Sequence, residues 1–285
     1  MTHRVLGLLL ILWLSVPVTA QTPWQPSRTP NGQPDMQGLW RNGTVAMVVA
    51  ALSLESDHSR WQAEVIIQSA TPPPNTNTVL PSYIVDPPDG KIPYQPWAAA
   101  KRQEFIATMM TPTKREHVDP HARAWLDGVP RVNAFPPPMQ ILQTPGYVIL
   151  VYEVNHSYRV IPLDGRPHVG EHIKLFMGDS RGHWDGNTLV VDVTNQDART
   201  WLDWLSFHGE GLHVTERWTP VGPDRIDFRA TFDDPAMFTR PWTIAYHFNR
   251  DKTGGLEIWE DAWHEGERDV ERILRGGGLA GRRKE

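Results

Sequence analysis

"LHVTERWTPVGPDRIDFRATF", residues 212–232, decides how the chain is read. Its second half alternates: Ile226, Phe228, Ala230 and Phe232 face one way, Asp227, Arg229 and Thr231 the other. A period of two marks a strand with one buried face, because successive side chains leave a pleated backbone on opposite sides. The first half is a second strand. Gly222, Pro223 and Asp224 between them are turn residues, so the two strands are antiparallel neighbours.

The same grammar extends outward. Strands are expected at 147–154, 158–162, 188–194, 212–219, 225–232, 242–248 and 256–263, separated by turn chemistry such as Asp164-Gly165, Asp185-Gly186-Asn187 and Gly254-Gly255. Seven or eight strands with short loops close most easily into a barrel or a strongly coiled sheet. The expected class is therefore mainly β: an antiparallel meander closing into a barrel-like, calycin/lipocalin-like core. Gly38-Leu39-Trp40 resembles the Gly-x-Trp entry of lipocalin-like barrels, where the Trp closes one end.

Upstream the grammar changes. Residues 1–20 have a basic start, an apolar core too short for a span, and "VTA" at 18–20, which reads as a secretory signal peptide cut after Ala20. Residues 21–33 form an expected disordered leader, and 34–146 a Pro-rich part that wraps the core. Eight prolines between 72 and 96 argue against helix and central strand there. A helix is expected at 95–110, and a second, short one at 267–274 near the end of the 147–285 barrel-like domain, stopped by the glycines at 276–278.

Composition narrows the partners. Removing the signal peptide takes away Arg4 and moves the formal charge from −5 to −6. That argues against nucleic acid, which needs a basic face. No later apolar run is long enough to span a bilayer, so no membrane insertion is expected after signal cleavage, and the location is secreted or periplasmic. With 0 Cys, thiolate catalysis and Zn–Cys sites are excluded. No P-loop, dinucleotide fingerprint, G-x-S-x-G or H-E-x-x-H is present, so any site is assembled from distant residues.

Histidine carries the functional signal, being the side chain most easily tuned near neutral pH. "YEVNHSYR" (152–159) sets Glu153, His156 and Arg159 around a strand reversal. "GRPHVGEH" (165–172) holds His168 and His172, read as a loop. "GDSRGH" (178–183) precedes a hairpin turn that accounts for Asp185 but not for Asp179, Arg181 and His183. In "FHGEGLHVTER", His208, His213, Glu216 and Arg217 lie together, with His213 and Glu216 on opposite strand faces; "WHEGER" adds His264 and Glu265. A carboxylate beside an imidazole holds its tautomer and supports its cation.

Four stretches, "QTPGYVILVYEVNHSYRVIPLDGRPH", "MGDSRGHWDGNTLVVDVTN", "DDPAMFTRPW" and "HEGERDVERILRGG", also carry a likeness. Through them the chain resembles a large group of uncharacterised secreted bacterial proteins, common in soil organisms, over 34–278. The resemblance implies an exported bacterial protein and transfers no catalytic role. Matching positions include Glu153, His156, His168, Asp179, Arg181, His208, His213, Arg240, His264 and Glu265. Trp263 and Glu267 stand where the group has Cys and Asn.

The favoured expectation is an exported enzyme of lyase or hydrolase type with general acid–base chemistry in a barrel pocket. His156 or His213 is the expected base and Glu153 or Glu216 the orienting carboxylate, with His183, His264 and Glu265 in the same pocket. Arg159, Asp179, Arg181, His208 and Arg240 are expected to bind a small molecule, on which Tyr158, Trp201, Trp204 and Trp242 stack. The alternative is a non-catalytic lipocalin-like carrier of a hydrophobic or aromatic ligand. No cofactor is expected; a transition metal held by His and Asp from 156–213 is the third reading.

Overall fold

The computed structural model describes residues 24–42, 83–108, 111–134, 138–203, 205–255, 257–262 and 268–276. The chain is mainly antiparallel β. In order come β1 (Gly38–Asn42), β2 (Ile84–Asp86), α1 (Pro96–Thr108), α2 (Arg131–Ala134), β3 (Met139–Thr144), β4 (Tyr147–Tyr152), β5 (Tyr158–Pro162), β6 (Asp179–Asp185), β7 (Thr188–Thr194), β8 (His213–Gly222), β9 (Arg225–Asp233), β10 (Trp242–Arg250) and α3 (Asp269–Gly276). Nine strands follow one another as β5-β4-β3-β1-β10-β9-β8-β7-β6, and β2 adds to β10 off this path. The last strand pairs with the first, so the meander curls into a nearly closed barrel.

The opening lies between β5 and β6, and side chains bridge it. A Cβ on Gly182 of β6 would come within 2.7 Å of Ile161 on β5, so the two strands touch without a ladder. Arg159 of β5 donates from Nη2 to Ser180 Oγ on β6, at 3.0 Å, and to Glu216 Oε2 on β8, at 2.7 Å. Glu216 is fully buried, and its Oε1 also accepts from Asn133 of α2 at 2.8 Å. Tyr152 completes the network by donating to Asn133 Oδ1 at 2.6 Å. Most donors and acceptors of this buried ion pair are thereby satisfied, which lets it be tolerated, while Arg159 Nε stays buried without a hydrogen-bond partner.

Alternation sorts the rest. Ile226, Phe228, Ala230 and Phe232 of β9, and Trp242, Ile244, Tyr246 and Phe248 of β10, all point into the barrel. Phe232 and Trp242 stack at 4.0 Å, and Trp218 stacks on Phe248 at 5.1 Å. Each such ring contributes about 2–3 kcal/mol through buried apolar area. These inward side chains belong to one continuous hydrophobic cluster.

Three strands, β1, β2 and β3, come from the stretch expected to wrap the core. β1 sits between β10 and β3. Its Trp40 is buried, donates from Nε1 to Met36 O at 2.9 Å, and lies under the Arg250 guanidinium at 4.3 Å, closing the end with the short turns. β3 pairs with β1 and β4 despite its Pro-rich approach. The prolines between 83 and 96 leave room only for three residues of strand at β10's flank. The expected helix appears as α1, with Ala98, Arg102 and Phe105 inward and Trp97 exposed. The strand expected at 256–263 is absent among the described residues 257–262. The expected signal peptide, 1–20, lies outside the described residues. None of the described helices is long and apolar enough to cross a membrane.

The barrel ends differ. Short turns join β3 to β4, β6 to β7 and β8 to β9 at the Trp40 end. At the other end the connections are longer: 153–157, 195–212, 234–241, and the excursion 83–134. Long connections held on a rigid frame are where binding and catalytic groups concentrate.

Candidate active site

At the end with the long connections "HARAWLDG", residues 121–128, makes a tight loop. A turn of 3-10 helix at His121–Arg123 stops at Ala124, which is left-handed at φ 61°. Gly128 follows at φ 76°, where a Cβ would sit 2.8 Å from Thr200 Oγ1. The loop thereby folds back so that Asp127, whose side chain is fully buried, meets His121 Nδ1 at 3.1 Å. Arg131 lies behind. Its Nη2 donates to both oxygens of Asp119 at 3.0 and 3.1 Å, and its Nε is 3.4 Å from Asp127. Asp119 Oδ1 accepts the His121 backbone N–H at 2.7 Å.

Two carboxylates against one guanidinium leave a negative balance beside the imidazole. Burial works against the His121 cation, but the hydrogen bond and charge of Asp127 more than offset it, so its pKa lies above the ordinary histidine value. Burial likewise raises the Asp119 carboxyl, with Arg131 opposing. About a third of the His121 side chain reaches solvent. A buried carboxylate on Nδ1 with a solvent-reaching ring is the arrangement that positions an imidazole for proton transfer.

The β4–β5 tip leans over this pair. Asn155 Nδ2 donates to Trp125 O at 3.3 Å and lies 3.4 Å from His121 Nδ1. Asn155 and His156 both have positive φ, 54° and 51°. Among the described residues four non-glycines do so; Ala124 follows the His121 turn, Asn155 contacts His121, and His156 is next to Asn155 in the chain. Each such residue costs roughly 1 kcal/mol, strain that proteins keep mainly where function needs the geometry. Residues 257–262 cross the tip: Glu153 accepts from Trp259 N at 3.1 Å, and Glu260 lies 3.6 Å from His156 Nε2.

A second imidazole–carboxylate chain runs along the outer wall of β6, β7 and β8. His168 Nδ1 meets Asp179 at 2.8 Å, and its Nε2 meets Asp192 at 2.8 Å. Asp192 also accepts from His213 Nε2. Burial alone would raise the Asp192 carboxyl, but the two imidazoles hold it below the usual range. Arg181 is braced by Asp179 at 2.7 Å and by Pro167 O at 3.0 Å. Here His213, Asp179 and Arg181 do come together.

Other expected groupings do not form. Glu216 points into the barrel and orients no imidazole; His213, on the opposite face of β8, takes Asp192 instead. Glu153 holds the 257–262 segment rather than His156, and Arg159 belongs to the barrel seam. His183 is exposed on the outer wall in register with Val190 and Arg217, about 13 Å along β8 from His213. His208 is buried: its Nδ1 donates to Gly209 O at 2.8 Å, and Nε2 accepts from Gln196 at 3.2 Å. Burial pushes its pKa down to about 4. Arg240 pairs with Asp86 at the surface. Of the stacking residues, Tyr158 is exposed, whereas Trp201 packs on Phe105 and Trp242 on Phe232 inside the protein. Trp204, His264 and Glu265 lie outside the described residues.

The pair that does form, His121 with Asp127, went unread in the sequence, although Trp-Leu-Asp-Gly after a histidine is a visible loop signal. A cleft of about 220 Å³ lined by Asp89, Lys91, Tyr94, Arg102 and Gln103 lies beside α1 and contains no imidazole. Among the described residues no group of three or more His, Asp or Glu is arranged to hold a metal ion.

No family model matches the chain, and no curated protein matches it. A solved structure of a secretary abundant heat soluble (SAHS) protein from Ramazzottius varieornatus aligns over 42% of this chain and 76% of its own, at 9% identity and a TM-score of 0.29. That similarity is too low to carry an argument about this protein.

Proposed function

We propose that the protein is an exported small-molecule enzyme of hydrolase or lyase type, working by general acid–base chemistry at the barrel end that carries the long connections. His121 is the proton-transfer group, and Asp127 fixes its ring and supports its cation. The single observation that carries this reading is the His121–Asp127 pair, 3.1 Å apart, with the carboxylate fully buried and the ring reaching solvent. Asn155 borders the ring, and Arg131 with Asp119 holds the loop from behind. The expected export signal at 1–20 and the resemblance to secreted bacterial proteins support a reaction outside the cytoplasm.

The test is consumption of compounds from a mixed small-molecule extract, followed by mass spectrometry. Wild type is expected to consume at least one compound, and His121→Gln to slow it by about 10²–10⁴-fold, with far-ultraviolet dichroism unchanged. Equal consumption by His121→Gln, or none by wild type, counts against the proposal. One observation favours a lipocalin-like carrier as second reading: the Tyr246 hydroxyl and Trp218 Nε1, both inside the barrel, have no hydrogen-bond partner among the described residues. Tight binding of a compound that wild type leaves unconverted selects it.

A further inference from the structure

Two guanidiniums, of Arg123 and Arg199, lie against Trp125, and a third, of Arg131, stands behind the same loop. Arg131 pairs with Asp119 and Asp127. Arg199 is clamped by Asp197, with contacts of 2.9, 3.0 and 2.6 Å, and lies 5.1 Å from the Trp125 ring and 5.0 Å from Phe176. The Arg123 guanidinium lies over Trp125 at 4.1 Å and makes no hydrogen bond and no ion pair among the described residues; its Nε is buried and unpartnered. Burial, then the neighbouring Arg115 and Arg199, make its charge less comfortable than an ordinary arginine's, with only Asp119 and Glu116 opposing.

An aromatic face restrains a guanidinium without satisfying its donors. The neighbouring Ala124, at φ 61°, fixes the turn that presents Arg123 two residues after His121. A planar fork held in this way matches a carboxylate, which accepts two parallel N–H bonds. The surrounding carboxylates, Asp119, Asp127, Glu260 and Asp261, already make these loops negative, so the Arg123 fork admits a singly charged anion and a doubly charged phosphate is repelled.

We propose that Arg123 is the recognition point for a carboxylate on the substrate, so that the protein acts on small monocarboxylates. This rests on the acid–base reading for the word substrate, but the binding itself does not need turnover. The experiment titrates the purified full-length mature protein with benzoate, benzamide and inorganic phosphate, using nuclear magnetic resonance shifts of the tryptophan indole N–H groups. Benzoate is expected to saturate in the millimolar range and to shift the Trp125 signal. Arg123→Gln is expected to weaken benzoate at least about tenfold, and benzamide to bind wild type at least about tenfold more weakly than benzoate. His121→Gln is expected to keep benzoate binding, which separates recognition from proton transfer. Absence of benzoate binding, equal binding by Arg123→Gln, or phosphate binding tighter than benzoate overturns the inference. Loss of turnover evidence with benzoate recognition intact overturns only the enzymatic reading.

Discussion

His208 is a pH-dependent stabiliser whose size follows from its surroundings. The ring is 3% exposed, donates from Nδ1 to Gly209 O, and meets the Thr200 hydroxyl at 2.8 Å and the Gln196 amide at 3.2 Å through Nε2, where the amide donor favours the neutral form. Its folded pKa is pushed down to about 4. In the unfolded chain an ordinary imidazole titrates near about 6.5. Above that value neither state holds the proton, and the contribution is fully present. As pH falls below it, the unfolded chain binds a proton that the folded chain refuses, and stability is lost until the folded value is reached. Linkage gives a loss of about 2 kcal/mol between about pH 7 and about pH 5, approaching about 3 kcal/mol near pH 4. The upper window matters because most carboxylates titrate below it. Urea denaturation of wild type and His208→Gln at several pH values isolates the effect. Wild type is expected to lose about 2 kcal/mol more than the variant between about pH 7 and about pH 5. Parallel losses in the two proteins refute the reasoning.

The barrel seam makes a second prediction. Arg159→Met strands Glu216 without its cation and is expected to cost about 3–5 kcal/mol in urea denaturation, most of it recovered by adding Glu216→Leu; an unchanged single variant would remove the seam's role. At Ala124, Gly relieves the left-handed strain and is expected to raise stability by about 0.5 kcal/mol, after the flexibility it adds to the unfolded chain. The same substitution loosens Arg123 and weakens benzoate, so a melting temperature and a titration together check it.

The parts of the fold legible in the sequence are those where one face is buried and turns are short. β8, β9 and β10 alternate cleanly, so their inward residues were readable from spacing, down to His213 and Glu216 lying on opposite faces. β3 hid because "MQILQT" lies between prolines and a turn, without a clean polar alternation. β1 hid because it is five residues long and separated in sequence from both partners. The site was harder. His213 finds Asp192 because β7 and β8 pair in a register that sets Asp192 against Thr215, two places along. No spacing along the chain encodes that neighbour. His121 and Asp127 are six residues apart in an irregular loop, and a left-handed Ala, which sequence reasoning does not anticipate, brings them together. Glu216 looked catalytic as a carboxylate near histidines, but its full burial opposite Arg159 makes it part of the frame.

The proton-transfer role of His121 is tested most directly by titrating its ring by nuclear magnetic resonance in wild type and in Asp127→Asn. With the buried carboxylate on Nδ1, the wild-type midpoint is expected above the ordinary histidine value of about 6.5, and to fall when Asp127 is neutralised. A wild-type midpoint at or below that value, unmoved by Asp127→Asn, contradicts the proposed site.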